Sequence, residues 1–228
     1  MKNLLASLLI LCIIFTVKSQ SREFDVNDFN DLSFAIAGDL YLTQGSECKV
    51  VIEASEETLE EIEVDQFGKN VTIGFRRSRG WGNWSEGTVK VYVTMRTIES
   101  LSVSGSGNIQ AEGTLDVDDL GLYISGSGDM DLSVEGDELE FRISGSGKIE
   151  VSGNADIANA HISGSGRVLG EDLVVDVFEA KISGSGDCYI TANETIEAEV
   201  SGSGKVYYRG EPSTVNSESS GSGGVRRL

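Results

Sequence analysis

Three residue types are scarce in this chain of 228 residues, which holds one proline, one histidine and three cysteines. A single proline excludes a Pro-rich linker or a wall-spanning stalk. One histidine with Cys12, Cys48 and Cys188 far apart cannot supply the closely spaced Cys and His set that a zinc site needs. No nucleophile-elbow motif is present either. Basic residues are few, 18 against 37 acidic. That imbalance argues against nucleic acid or an anionic membrane as partner, because both repel an acidic surface. Long apolar runs are missing apart from Leu4 to Val17, interrupted by Ser7 and Thr16. The run follows a basic Lys2 and ends at Lys18-Ser19-Gln20. It is shorter than the ~20 residues a spanning helix takes, so residues 1–20 read as a secretory signal peptide cut near Ser19 or Gln20. Its removal leaves 16 basic and 37 acidic residues, a formal charge of −21. Export permits a disulfide. However, Cys188 stands where other repeats carry Ile, Met or Val, which predicts a buried free thiol.

Glycine and serine are abundant, and they are ordered. Ser-Gly-Ser-Gly begins at Ser104, Ser125, Ser144, Ser163, Ser183, Ser201 and Ser220, at spacings of 21, 19, 19, 20, 18 and 19 residues. A period near twenty, held over half the chain, is the mark of a solenoid in which each repeat is one coil. Apolar residues alternate on both sides of the tetrapeptide, as in Leu139-x-Phe141-x-Ile143 before it and Met130, Ile149, Val168 and Val206 after it. Period two means strand with one face inward, so each coil is strand, corner, strand and a looser return near Gly113, Gly136, Gly153 and Gly210. A tight bend needs glycine. The serines of successive coils are expected to form a hydrogen-bonded ladder along that edge. The row Val103, Ile124, Ile143, Ile162, Ile182 and Val200 should point inward, with Ser219 in its place in a polar, capping last coil. Directly after the corners, Asp129 should neighbour Lys148, and Asp187 should sit between Arg167 and Lys205.

Residues 21–100 are β-rich without the repeat. Runs at 40–43, 49–53, 71–75 and 89–95 alternate as strands, and Ser55 to Glu63, with Leu59 and Ile62 three apart, suits a helical turn on a sheet edge. A glycine-rich loop from Arg76 carries Trp81 and Trp84 beside three arginines. These tryptophans either plug the core or stack on a sugar ring or a protein partner. Tyr189 and Tyr207 face outward on adjacent coils, either as a cross-strand pair or as a binding platform. His161, between Ala160 and Ile162, should point outward as surface decoration.

The segments Arg22 to Phe29, Gly38-Asp39-Leu40-Tyr41-Leu42-Thr43-Gln44-Gly45, Val89 to Thr94 and Leu101-Ser102-Val103 leading into the repeats resemble the auto-transporter adhesin "head GIN" domain family. The resemblance covers nearly all of the chain after residue 20. It implies a right-handed β-helix similar to pectate-lyase-like solenoids, without their catalytic residues, and a role in cell-surface adhesion. It brings no set of functional residues.

The expected protein is all-β: a signal peptide (1–20), a β-rich N-terminal part (21–100), and an SGSG-repeat solenoid (101–228) of about 19–20 residues per coil. Its expected role is non-catalytic adhesion or envelope interaction. The rivals are a polysaccharide-binding or polysaccharide-degrading β-helix and a purely structural envelope protein. The ligand-binding candidates are Trp81, Trp84, Tyr189 and Tyr207. The expected partner is a glycan or a cell-surface protein, with no cofactor and no metal, and the localisation is periplasmic, cell-surface or secreted.

Overall fold

Alternating side chains and glycine corners leave the chain one economical arrangement, strands stacked edge to edge around an apolar column. The structure is a computed structural model that describes residues 19–76 and 88–228. The first strands are β1 (Gln20–Phe24), β2 (Asp31–Phe34), β3 (Asp39–Gln44) and β4 (Lys49–Ala54), followed by the helix α1 (Glu56–Glu61). Next come β5 (Ile62–Phe67), β6 (Asn70–Phe75), β7 (Lys90–Met95) and β8 (Ser100–Gly105). The repeats begin with β9 (Asn108–Asp116) and β10 (Asp119–Gly126). Four long strands follow: β11 (Asp129–Gly145), β12 (Lys148–Gly164), β13 (Arg167–Gly184) and β14 (Asp187–Gly202). The chain ends with β15 (Lys205–Arg209), β16 (Thr214–Gly221) and β17 (Gly224–Arg227). The result is a stacked parallel β-solenoid with a β-rich first half.

Each coil has two arms joined at the corner. Before the corner, β6, β2, β8, β10, the ends of β11 to β14, and β16 stack in parallel. After it, β7, β3, β9, the starts of β11 to β14, β15 and β17 do the same. Strands of the first half therefore pair directly with the repeats: β2 with β8, and β3 with β9. The register keeps every Ser-Gly over the next, Ser125 opposite Ser144 and Ser163 opposite Ser183.

The inward row from Val103 to Val200 is buried at 1–3% exposure, as its apolar character requires. Beneath it, large and small side chains complement one another. Phe141 is opposite Ala160, and Phe178 is opposite Ala158, so each ring occupies space that its alanine neighbour vacates.

The two glycines of each corner serve different needs. The first has positive φ, 128° at Gly145, and a Cβ there would lie 2.3 Å from the Gly126 carbonyl oxygen. The second has its space taken by the preceding coil: at Gly147 a Cβ would meet the Gly128 oxygen at 2.5 Å and Ile124 Cγ2 at 2.6 Å. Backbone bonds sew the corners together. Ser146 N–H donates to Gly126 O, Ser165 to Gly145 O, and Ser203 to Gly184 O, all at 2.8 Å.

The expected serine ladder does not form. Among the described residues no corner serine hydroxyl bonds the next coil's serine; the inter-coil bonds there are made by the backbone. Serine is used for its small size, and its hydroxyl faces outward. The charged row is in the expected register, Asp129 opposite Lys148 and Asp187 between Arg167 and Lys205. Its ion pairs differ from the expectation, because Lys148 Nζ turns to Glu150 on its own strand (3.0 Å) and Asp187 accepts the Lys205 backbone N–H (2.9 Å).

The two ends differ. At the N-terminal end, β1 pairs antiparallel with β4, β4 with β7, and β5 with β6. Helix α1 links the arms there and buries Leu59, with Ile62 buried just beyond it. Ser55 Oγ caps the helix by accepting the Thr58 N–H, and Arg22 donates to the Leu59 carbonyl at 2.9 Å. At the C-terminal end, β16 is exposed along its whole length.

Candidate functional site

Strand alternation sets two outward rows on the arm before the corner. One is the leading serine of every repeat, Ser104 to Ser220, all exposed. The other, two residues earlier, reads Ser102, Tyr123, Arg142, His161, Lys181, Glu199 and Glu218. Serine is short and the other row is long, so a trough of about 870 Å³ lies between them, floored by the strands that carry Ile124, Ile143, Ile162 and Ile182. It runs along the solenoid axis across seven coils, at ~4.8 Å per coil. The leading serine hydroxyls have no protein partner among the described residues and line the trough as a regular series of donors and acceptors.

One corner of the trough is rigidly built. Tyr123 Oη donates to Glu140 Oε2 at 2.7 Å, and Arg142 Nε donates to Glu140 Oε1 at 2.8 Å. The Arg142 guanidinium also lies 5.9 Å from the Tyr123 ring centroid. Gly121 makes this possible, since a Cβ there would strike the Tyr123 ring and hydroxyl at 2.4–2.6 Å. Burial, and then the bond to Glu140, raise the Tyr123 hydroxyl above the usual phenol range. Burial alone would raise Glu140, but the bonds from Tyr123 and Arg142 and the Arg142 charge hold it below the usual carboxylate range. At neutral pH Glu140 and Arg142 are therefore ionised, while Tyr123 keeps its proton.

His161 points outward as expected, and it stands in the trough wall between Arg142 and Lys181. The sequence signal that would expose the ridge is an alignment of the second residue before each Ser-Gly-Ser-Gly, a column of outward positions that burial patterning passes over.

Two of the sequence-derived candidates, Tyr189 and Tyr207, lie elsewhere. Tyr189 and Tyr207 stack at 4.8 Å between centroids with 14° between planes, on the arm after the corner and away from the trough. Each ring presents one face to the other. The same outward row, followed through the register, reads Tyr92, Tyr41, Gln110, Asp131, Glu150, Leu169, Tyr189, Tyr207 and Arg226. Its far end carries a second stack, Tyr41 on Tyr92 at 5.4 Å. Trp81 and Trp84 lie outside the described residues. Cys48 and Cys188 are both free thiols, and burial pushes Cys188 well above the usual thiol range. Among the described residues no three His, Cys, Asp or Glu side chains converge on a metal position, and no helix is long and apolar enough to cross a membrane.

The fold has solved counterparts. A protein from Bacteroides fragilis described as a "putative adhesin" is 25% identical with a TM-score of 0.87, over 93% of this chain and 98% of its own. A "putative adhesin" from Parabacteroides merdae is 24% identical with a TM-score of 0.72, over 92% of this chain and 96% of its own. A "putative lipid binding protein" from Parabacteroides distasonis is 23% identical with a TM-score of 0.76, over 92% of this chain and 96% of its own. No curated protein matches the sequence. The model of the family described as "putative auto-transporter adhesin, head GIN domain" matches residues 28–212, strands of the first half and six of the seven corners together, and the chain belongs to that family.

Proposed function

We propose that the protein is an exported, non-catalytic adhesion module that holds an extended glycan chain along the trough. The observation that carries this reading is the continuous row of serine hydroxyls, without protein partners among the described residues, along a groove that crosses seven coils. A linear, hydroxyl-rich polymer can repeat one weak contact at every coil, and repetition converts weak contacts into avidity. Family membership supports adhesion as the general role. Trp81, Trp84, Tyr189 and Tyr207 are proposed as secondary contacts, because aromatic rings offer sugars and proteins an apolar surface.

A glycan array with the leaderless protein tests the reading. Ser144→Leu with Ser163→Leu fills the trough at exposed positions, and it should abolish glycan binding while the melting temperature stays within a few degrees. Unchanged binding in that variant overturns the trough as the site. Release of oligosaccharide products during incubation would overturn the non-catalytic reading. Protease treatment of intact cells tests export to the surface, where the protein should be cleaved without lysis. Trp81→Ala with Trp84→Ala, and separately Tyr207→Ala, should each weaken glycan binding; unchanged affinity at unchanged stability removes those residues from the contact set.

A further inference from the structure

The trough is not uniform along its length. Its ridge is neutral at Ser102 and Tyr123, cationic or imidazole-bearing at Arg142, His161 and Lys181, and acidic at Glu199 and Glu218. In a chain with 37 acidic and 18 basic residues, three successive coils without a carboxylate in the trough wall run against the composition. Building on the glycan-binding role above, we infer that the β11–β13 section of the trough is a subsite for an anionic sugar, one bearing a carboxylate or a sulfate. Glu199 and Glu218 repel a negative group from the adjoining section.

The chemistry fits at each position. Arg142 offers the N–H groups not committed to Glu140. His161 makes no protein hydrogen bond or ion pair among the described residues and donates at least one ring N–H in either protonation state. Lys181 is held only at 3.7 Å by Glu199, so its ammonium can turn to a ligand. Ser144, Ser163 and Ser183 face these three across the trough. The carboxylates at the adjoining register positions are Glu140, Glu179 and Glu199, with Glu197 beside Glu179 in the same row. Glu140 is occupied by Tyr123 and Arg142, and Glu179 lies one outward row further from the corner, outside the trough lining. At physiological ionic strength charges beyond ~8 Å are largely screened, so the three-coil section decides the local preference although the net charge after removal of residues 1–20 is −21 (16 basic, 37 acidic).

The test titrates three probes against the leaderless protein: a polyuronate, a sulfated glycosaminoglycan and a neutral glucan. Either anionic probe should bind about tenfold or more tightly than the glucan, a gap worth about 1.4 kcal/mol, and 0.5 M salt should erase the difference. Which of the two binds identifies the anionic group. Lys181→Gln and His161→Gln should each weaken anionic binding about three- to fivefold, as expected for partly exposed charges and hydrogen bonds, and leave thermal stability unchanged. Glu199→Gln should strengthen it. Equal binding of the glucan, with all three variants silent, overturns the anionic subsite while the trough reading survives. Absence of binding by every glycan overturns both.

Discussion

The two ends of the solenoid solve the same problem in opposite ways. A stack of strands must stop somewhere, and each end offers unpaired backbone and an open apolar column to whatever strand comes next. The N-terminal end closes itself with structure. Its outermost strands run antiparallel, and α1 places Leu59 in the core. The C-terminal end closes itself with chemistry. β16 continues the parallel register of β14, but Ser217 and Ser219 replace the inward Ala198 and Val200, and β16 is exposed along its whole length. A plug costs extra chain and a new topology. A polar coil keeps the repeat and needs only a few side chains changed.

The largest effects should separate the ends. Leu59→Ala should cost ~2–5 kcal/mol, seen as a lowered midpoint in chemical denaturation, because it hollows the plug. Val215→Ala, at 41% exposure on the last coil, should stay within ~0.5 kcal/mol. Equal costs would mean that the ends are not different in kind. Between the two lies the corner itself: Gly145→Ala should destabilise by at least ~2 kcal/mol, since positive φ and a backbone oxygen 2.3 Å away both oppose a methyl group.

Ser219→Ile sharpens the comparison at the open end. It restores the inward apolar row on a ready-made edge, so sedimentation should report stronger concentration-dependent association than in wild type, with little change in the melting temperature. No change in association would show that side-chain polarity is not what stops the stack.

Smaller effects follow from ionisation. Glu140 titrates lower in the folded protein than in the unfolded chain, so its stabilising contribution is present above the usual glutamate range and is lost as pH falls through its lowered folded value. Glu140→Gln should therefore lower the melting temperature at neutral pH, and the gap should close in acid. Cys188 shows the opposite sign. Its thiol is raised by burial, so stability holds below the ordinary thiol range and declines as pH rises through it, while the unfolded chain alone gives up the proton. Half-buried Cys48 should react with a thiol reagent in the native state, and Cys188 only on unfolding.

Much of this is legible in the amino-acid sequence. The inward isoleucines, the glycine corners, the helical turn at Leu59 and the outward His161 all follow from alternation and period, which are local properties of the chain. The trough was not legible as a site. Its walls are columns of surface residues whose meaning depends on stacking, and the tetrapeptide's serines invite a ladder that the backbone makes unnecessary. Trp81 and Trp84 stand out in the sequence by their size, whereas the proposed trough is lined by serines, which are small.

The amino-acid sequence by itself determined the coil: its length, its inward face and its corners, because each depends on residues a few positions apart. Only the tertiary structure decided that β2 lies on β8 and β3 on β9, that antiparallel strands and a helix close one end, and that Tyr41 and Tyr189 share one row. Those pairings join segments tens of residues apart without a shared repeat. Backbone hydrogen bonding is the same for every register, so burial of the whole column had to choose among them.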